Sequence, residues 1–230
     1  MPPRVRDVVL VLAALALCPA AALLIGDDPV APLARARATA DAEAALGLHV
    51  EPALHAWVAS HGALDLAARG FYLAAHVPVT AWALIWTACL RPDVFSRVRD
   101  VLVATQVLIV VLWVLFPTAP PWLVADTGVV PDGLVHAVQS PFAAIPSGHV
   151  AFALIAGVTF ARHGDRRWLR GFGRLYPPLA VLVTVVTANH LLADAAAAAF
   201  VVGAAWALTG GVRVRRPRRT ARPREADALG

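Results

Sequence analysis

The chain has 230 residues, 59% of them hydrophobic and only 15% charged, with a mean hydropathy of +0.67. A soluble domain of this size could not hide so much apolar surface, so the composition points to an integral membrane protein with no room for a separate soluble domain. The net charge is +5 and all 20 basic residues are arginine, which excludes Schiff-base chemistry and any phosphate site built on lysine.

The first apolar run, 8–25, follows Arg4 and Arg6 and reads as a first transmembrane span over 1–25. A cleaved signal peptide is the alternative, although the run is longer than the usual signal core. Cys18 lies in this run and Cys89 in the next. Their spacing fits neither a disulfide framework nor a metal site, so both read as lipid-buried packing residues.

Residues 26–70 read as an extracytoplasmic segment, a loop at first and then an interfacial helix over 46–66 carrying Leu48, Leu54, Trp57, Val58 and Leu66, with Pro52 near its start. His49, His55 and His61 recur here, but their spacing puts them on different helix faces. Solvated surface histidines are expected, not metal ligands.

Five more runs follow, at 71–90, 101–116, 150–161, 176–187 and 191–210, the fourth of the six spans extending back to Ser147 and the fifth to Phe172. The expected fold is all-α, a polytopic membrane bundle of about six transmembrane helices with its core over 71–210. Arginines mark alternate connections: Arg91, Arg97 and Arg99 after the second span, and Arg162, Arg166, Arg167, Arg170 and Arg174 after the fourth. The tail, 211–230, adds seven more from Arg213 to Arg224, whereas the connection 117–149 has no lysine or arginine. The asymmetry predicts a multi-pass protein of the cell membrane with both termini cytoplasmic. The basic tail suits anionic lipid, not nucleic acid, because no aromatic or folded platform accompanies the charge. Trp82, Trp86, Trp113, Trp122 and Trp206 read as interfacial anchors or interhelical packing.

Two stretches carry chemistry, Ile145-Pro146-Ser147-Gly148-His149 and Thr187-Ala188-Asn189-His190-Leu191-Leu192-Ala193-Asp194. The topology puts both on the extracytoplasmic face. His190 and Asp194, four apart, share a face if helical, so the carboxylate fixes one imidazole nitrogen and frees the other as nucleophile or base. A structural polar pair joining two helices is the plainer alternative. Proline, serine and glycine before His149 suit a helix start, where exposed N–H groups make an anion seat and His149 stands ready to protonate a leaving alkoxide. A capped helix start with an interfacial histidine is its plainer counterpart.

Together these stretches resemble the second and third signatures of the type-2 phosphatidic acid phosphatase superfamily. Phe116-Pro117-Thr118-Ala119-Pro120-Pro121, Phe142-Ala143-Ala144, Tyr176-Pro177 and Phe71-Tyr72-Leu73-Ala74-Ala75-His76 through Arg91-Pro92 are similar to its bacterial inositolphosphotransferase-like branch, over roughly 70–205. The resemblance implies that His190 attacks phosphorus to form a phosphohistidine, Asp194 orients it, and His149 protonates the leaving group. Ser147, Gly148 and Asn189 would bind the phosphoryl group, with no metal and no cofactor required. The implied substrate is a lipid phosphate or phosphoinositide, with water or an alcohol as acceptor.

The superfamily's first signature, Lys-x6-Arg-Pro, is missing: Arg91-Pro92 mimics its end, but Leu84 stands where the lysine belongs and the dipeptide lies on the cytoplasmic side. Thr184 replaces an arginine six residues before His190, Trp122 replaces one after Pro120-Pro121, and no arginine occurs between Arg99 and Arg162. A phosphomonoester carries nearly two charges, which neutral donors serve poorly. Arg69, at the outer start of the second span, is the expected substitute ligand, with topology anchoring as its alternative, and His76 is expected to line the pocket or bond a backbone carbonyl. Sparse cations favour a phosphodiester and hence headgroup transfer. The rival from another class is a catalytically degenerate member serving as a membrane scaffold or lipid-binding protein.

Overall fold

The computed structural model describes residues 5–124 and 140–210. The basic tail, Arg4 and part of the arginine-free connection lie outside the described residues. Within them the chain is helical: α1 Val5–Ile25, α2 Val30–Ala45, α3 Glu51–Ala59, α4 Gly62–Leu90, α5 Pro92–Leu115, α6 Pro121–Val124, α7 Gly148–His163, α8 Arg167–Val186 and α9 Leu192–Gly210. Five of these, α1, α4, α5, α8 and α9, are long and apolar enough to cross a membrane. The remaining expected span is α7, with 16 residues, or about 24 Å of helix at 1.5 Å per residue.

The early part of the segment between the first two spans differs from the expected loop. Residues Val30–Ala45 form α2, because eight alanines in 16 residues give strong helix propensity that the scattered charges do not offset. Gly47, with φ +70°, then turns the chain. The expected interfacial helix over 46–66 is divided: α3 begins with Glu51-Pro52, as the proline suggested, and ends at Ser60, and α4 begins at Gly62.

Helix α7 forms the centre and packs against α4, α5, α8 and α9. Val150, Ala151, Phe152, Ile155 and Ala156 are buried along it, and Phe160 lies beneath Trp82, Trp86 and Phe172. Helix α1 lies against α5, where Gln106 Nε2 donates to Cys18 Sγ at 2.9 Å and Arg99 bonds Asp7. Cys18 is therefore an interhelical acceptor, not a residue facing lipid, and both cysteines are free thiols.

The arginine-rich turns gather at one end. Arg91 Nη1 donates to His163 O at 2.5 Å and lies 3.5 Å from Asp165, while Arg99 joins the starts of α1 and α5. The opposite end holds the C-termini of α5 and α8 and the N-termini of α7 and α9, and there the two histidine stretches lie.

Helices α7 and α8 approach closely because glycine faces glycine. A Cβ at Gly173 would stand 2.5 Å from Ala161 N and 2.6 Å from Gly157 O, both backbone atoms that cannot yield. Gly173→Ala is therefore expected to destabilise the bundle by about 1–3 kcal/mol, measured as a lowered Tm in detergent. Gly171→Ala, whose Cβ meets nothing within 4 Å, is expected to hold or raise Tm, by at most about 1 kcal/mol.

Candidate active site

Backbone bonds bring four separated segments to one point. Thr118 N donates to Phe142 O at 2.8 Å and Ala144 N donates to Thr118 O at 3.2 Å, so the Pro117-Thr118-Ala119 passage pairs with the residues just before Ile145-Pro146. Trp122 N donates to Ala188 O at 3.1 Å, and Ser147 N donates to Asp194 O at 3.3 Å. From α5, buried Trp113 donates through Nε1 to Pro146 O at 3.0 Å, so this tryptophan positions the motif as well as filling space. The Ile145–Pro146 peptide bond is cis.

His190 and Asp194 meet, but not along a helix. α8 ends at Val186, Ala188 adopts a left-handed φ of +56°, and α9 begins only at Leu192. His190 thus lies in the turn before α9, and Asp194 in the helix's first turn reaches back to it. Asp194 Oδ2 accepts from His190 Nδ1 at 3.0 Å and from Leu191 N at 3.1 Å. A carboxylate only accepts, so Nδ1 carries the proton and the Nε2 lone pair is left free of Asp194. The pair is deeply enclosed, His190 being 6% and Asp194 1% exposed. Asn189 N and His190 N both donate to Thr184 O, at 3.0 and 3.1 Å, which fixes the turn.

Ser147 is the N-cap of α7: its Oγ accepts from Val150 N at 3.3 Å, and the residue is fully buried. Gly148 and His149 open the helix, with their N–H groups at its positive end. The His149 and His190 ring centroids are 6.4 Å apart. Tyr72 stacks on His149 at 4.2 Å and His76 tilts against it at 4.5 Å, so α4 supplies one wall. His76 Nδ1 is buried with no hydrogen-bond partner among the described residues, which favours pocket lining over a backbone bond. Phe71, Tyr176, Ala180, Val183 and Thr184 complete a cleft of about 10 Å³, room for one water. A phosphoryl group enters only if these side chains move.

Two expected binding residues are otherwise engaged. Asn189 Nδ2 donates to Thr187 Oγ1 at 2.9 Å, bracing its own turn. Arg69 Nε bonds both Asp65 oxygens, at 2.8 and 3.0 Å. Arg69, Tyr72 and His76 nevertheless follow at spacings of three and four, on one face of α4.

The histidines of the 26–70 segment are not all solvated. His61 is exposed, but His55 is buried and its Nδ1 donates to Val186 O at 2.7 Å, capping the end of α8. His49 Nδ1 lies 3.3 Å from Glu51 and 3.7 Å from Glu43. These glutamates were not among the expected site residues, although Glu51 is an isolated acid in an apolar stretch. Glu51 Oε1 accepts from Leu192 N at 2.9 Å and Glu43 Oε1 from Ala193 N at 2.5 Å, so both cap α9 beside the histidine–aspartate pair. Burial, with the neighbouring Glu51 adding to it, pushes the Glu43 carboxyl above its ordinary value, against the lowering effect of the Ala193 N–H. Tyr72 was not an expected site residue either, and its register with His76 is the signal that identifies it.

Comparison with curated proteins and with solved structures gives no match. The PAP2 superfamily is matched over residues 37–208, which adds α2 and α3 to the region carrying the motifs. The match covers most of the chain, and the chain belongs to the PAP2 superfamily.

Proposed function

We propose that the protein transfers a phosphoryl or phosphodiester group from a lipid-linked substrate through a phosphohistidine on His190. PAP2 superfamily members act on phosphate esters, and long apolar helices make this member a membrane protein. The reading rests chiefly on the His190–Asp194 bond at 3.0 Å, with the His149 ring centroid 6.4 Å from that of His190.

In this scheme His190 Nε2 attacks phosphorus as the bond to the leaving oxygen breaks, and His149 gives that oxygen its proton. Asp194 holds the Nδ1 proton and offsets the charge on the imidazole ring. Water or an alcohol then attacks the phosphohistidine, His149 takes the proton back, and His190 is released. The Gly148 N–H and the positive end of α7 face the phosphoryl oxygens, so the reacting centre works without a metal. Arg69, on the α4 face that carries Tyr72 and His76, supplies the guanidinium that the signatures lack, and this requires exchange of Asp65 for substrate. The shortage of cations favours a phosphodiester, as in inositol headgroup transfer.

The arginine-rich end lies opposite the histidines, which supports an extracytoplasmic site with both termini cytoplasmic in the cell membrane. The same missing arginines support the rival reading of a degenerate scaffold or lipid-binding member, and product analysis decides between them.

Mass spectrometry after incubation with mixed lipid phosphates and phosphoinositides is expected to show product from the parent and none from His190→Ala. Free phosphate identifies a phosphatase and a new headgroup-bearing lipid a transferase. No product from either folded protein, across the panel, overturns the enzyme reading.

His149→Ala is expected to cost about 10²–10⁴-fold in kcat on an alkyl phosphate. On p-nitrophenyl phosphate, whose leaving group needs no proton, the loss should be much smaller. Equal losses on both substrates refute the proton-donor role.

A further inference from the structure

We propose that Glu43, His49 and Glu51 bind a divalent transition-metal cation of the zinc class, which fastens the α2–α3 segment to the first turn of α9. The site lies apart from the two histidines of the phosphoryl scheme and does not depend on that chemistry.

Glu43 Oε2, Glu51 Oε2 and His49 Nδ1 are all buried, and none has a hydrogen-bond partner among the described residues. The three lie within 4.8 Å of one another, with His49 Nδ1 3.3 Å from Glu51 Oε2 and 3.7 Å from Glu43 Oε2. Ligands about 2.1 Å from a tetrahedral zinc ion stand about 3.4 Å apart, so the cluster needs little rearrangement to enclose one. One imidazole and two carboxylates suit zinc or its neighbours better than calcium or magnesium, which prefer oxygen alone.

The second oxygen of each carboxylate is held by the backbone of α9: Glu51 Oε1 by Leu192 N and Glu43 Oε1 by Ala193 N. Such bonds aim the remaining oxygens, as outer partners aim ligands in metal sites. Glu43 is 5% and Glu51 3% exposed, so two carboxylates meet where water screens them little. The helix end offsets only about half a charge, leaving a deficit that a divalent cation removes. His49 and Glu51 also line a cavity of about 410 Å³, so the cluster lies beside open space and not in solid packing.

The full-length chain, purified in detergent and stripped with a chelator, is titrated with ZnCl₂ by calorimetry. One Zn²⁺ per chain and a Tm that rises with Zn²⁺ are expected. His49→Ala keeps both glutamate–helix bonds and should weaken binding at least tenfold and abolish the rise in Tm. Glu51→Gln, which keeps an oxygen for Leu192 N, should also weaken it at least tenfold. His190→Ala should bind Zn²⁺ as the parent does. The proposal is overturned if the parent takes up no Zn²⁺, in which case the two glutamates share a proton instead. It is equally overturned if His49→Ala binds as tightly as the parent, or if His190→Ala loses the ion.

Discussion

Three carboxylates converge on the first turn of α9, and the rest of the site depends on that junction. Asp194, Glu51 and Glu43 accept the N–H groups of Leu191, Leu192 and Ala193, three consecutive donors that a buried helix start would otherwise leave unpaired. Hydrogen bonds to charged groups contribute about 1.5–3 kcal/mol each, so the junction is a strong tie between α9 and the segment before α4. The same turn holds Ser147 through Asp194 O and His190 through Asp194 Oδ2. The His190 side chain, the α7 cap and the α2–α3 segment are therefore fixed by one helix end.

This arrangement has an electrostatic consequence. The positive end of α9 is occupied by the protein's own acids, so it cannot serve as the phosphate seat. In the proposed chemistry that role falls to α7, where Ser147 Oγ accepts from Val150 N and the Gly148 N–H lies at the helix start. An anionic substrate would approach a region already holding three carboxylates, in a sequence stretch with no arginine from 100 to 161. Arg69 on the histidine-bearing face of α4 opposes that repulsion, and the cation proposed between Glu43 and Glu51 would oppose it further. Neither supplies the bidentate fork of the missing signature arginines, which is why the proposed chemistry suits a singly charged phosphodiester better than a monoester.

The sequence revealed those parts of the fold whose cause is local or compositional. Long apolar runs marked the spans, and Pro146-Ser147 marked the start of α7. The His190–Asp194 contact was anticipated from the spacing of four, although the turn at Ala188 delivers it through a helix start. What stayed hidden depends on distant partners. Alanine-rich 30–45 reads as loop because of its scattered charges, although its propensity is helical, and the partner of Glu43 on α9 is 150 residues away. His55 looks like a surface histidine because Val186 O, 131 residues away, is invisible to periodicity. Tyr72 and Trp113 are apolar-run aromatics until the motifs stand beside them.

The α2–α3 segment thus braces the His190 turn and is more than a tether between the first two spans. The family match begins at residue 37, inside α2, and the residues it adds include Glu43 and Glu51. Asp194 can aim His190 only if the start of α9 is held in register, and the strongest bonds holding it come from α2 and α3. His55 fixes the neighbouring end of α8 in the same way, so both sides of the Thr187–Leu191 turn are clamped from outside the bundle. A nucleophile placed in a turn has less inherent rigidity than one on a helix. Here α2 and α3 provide that rigidity.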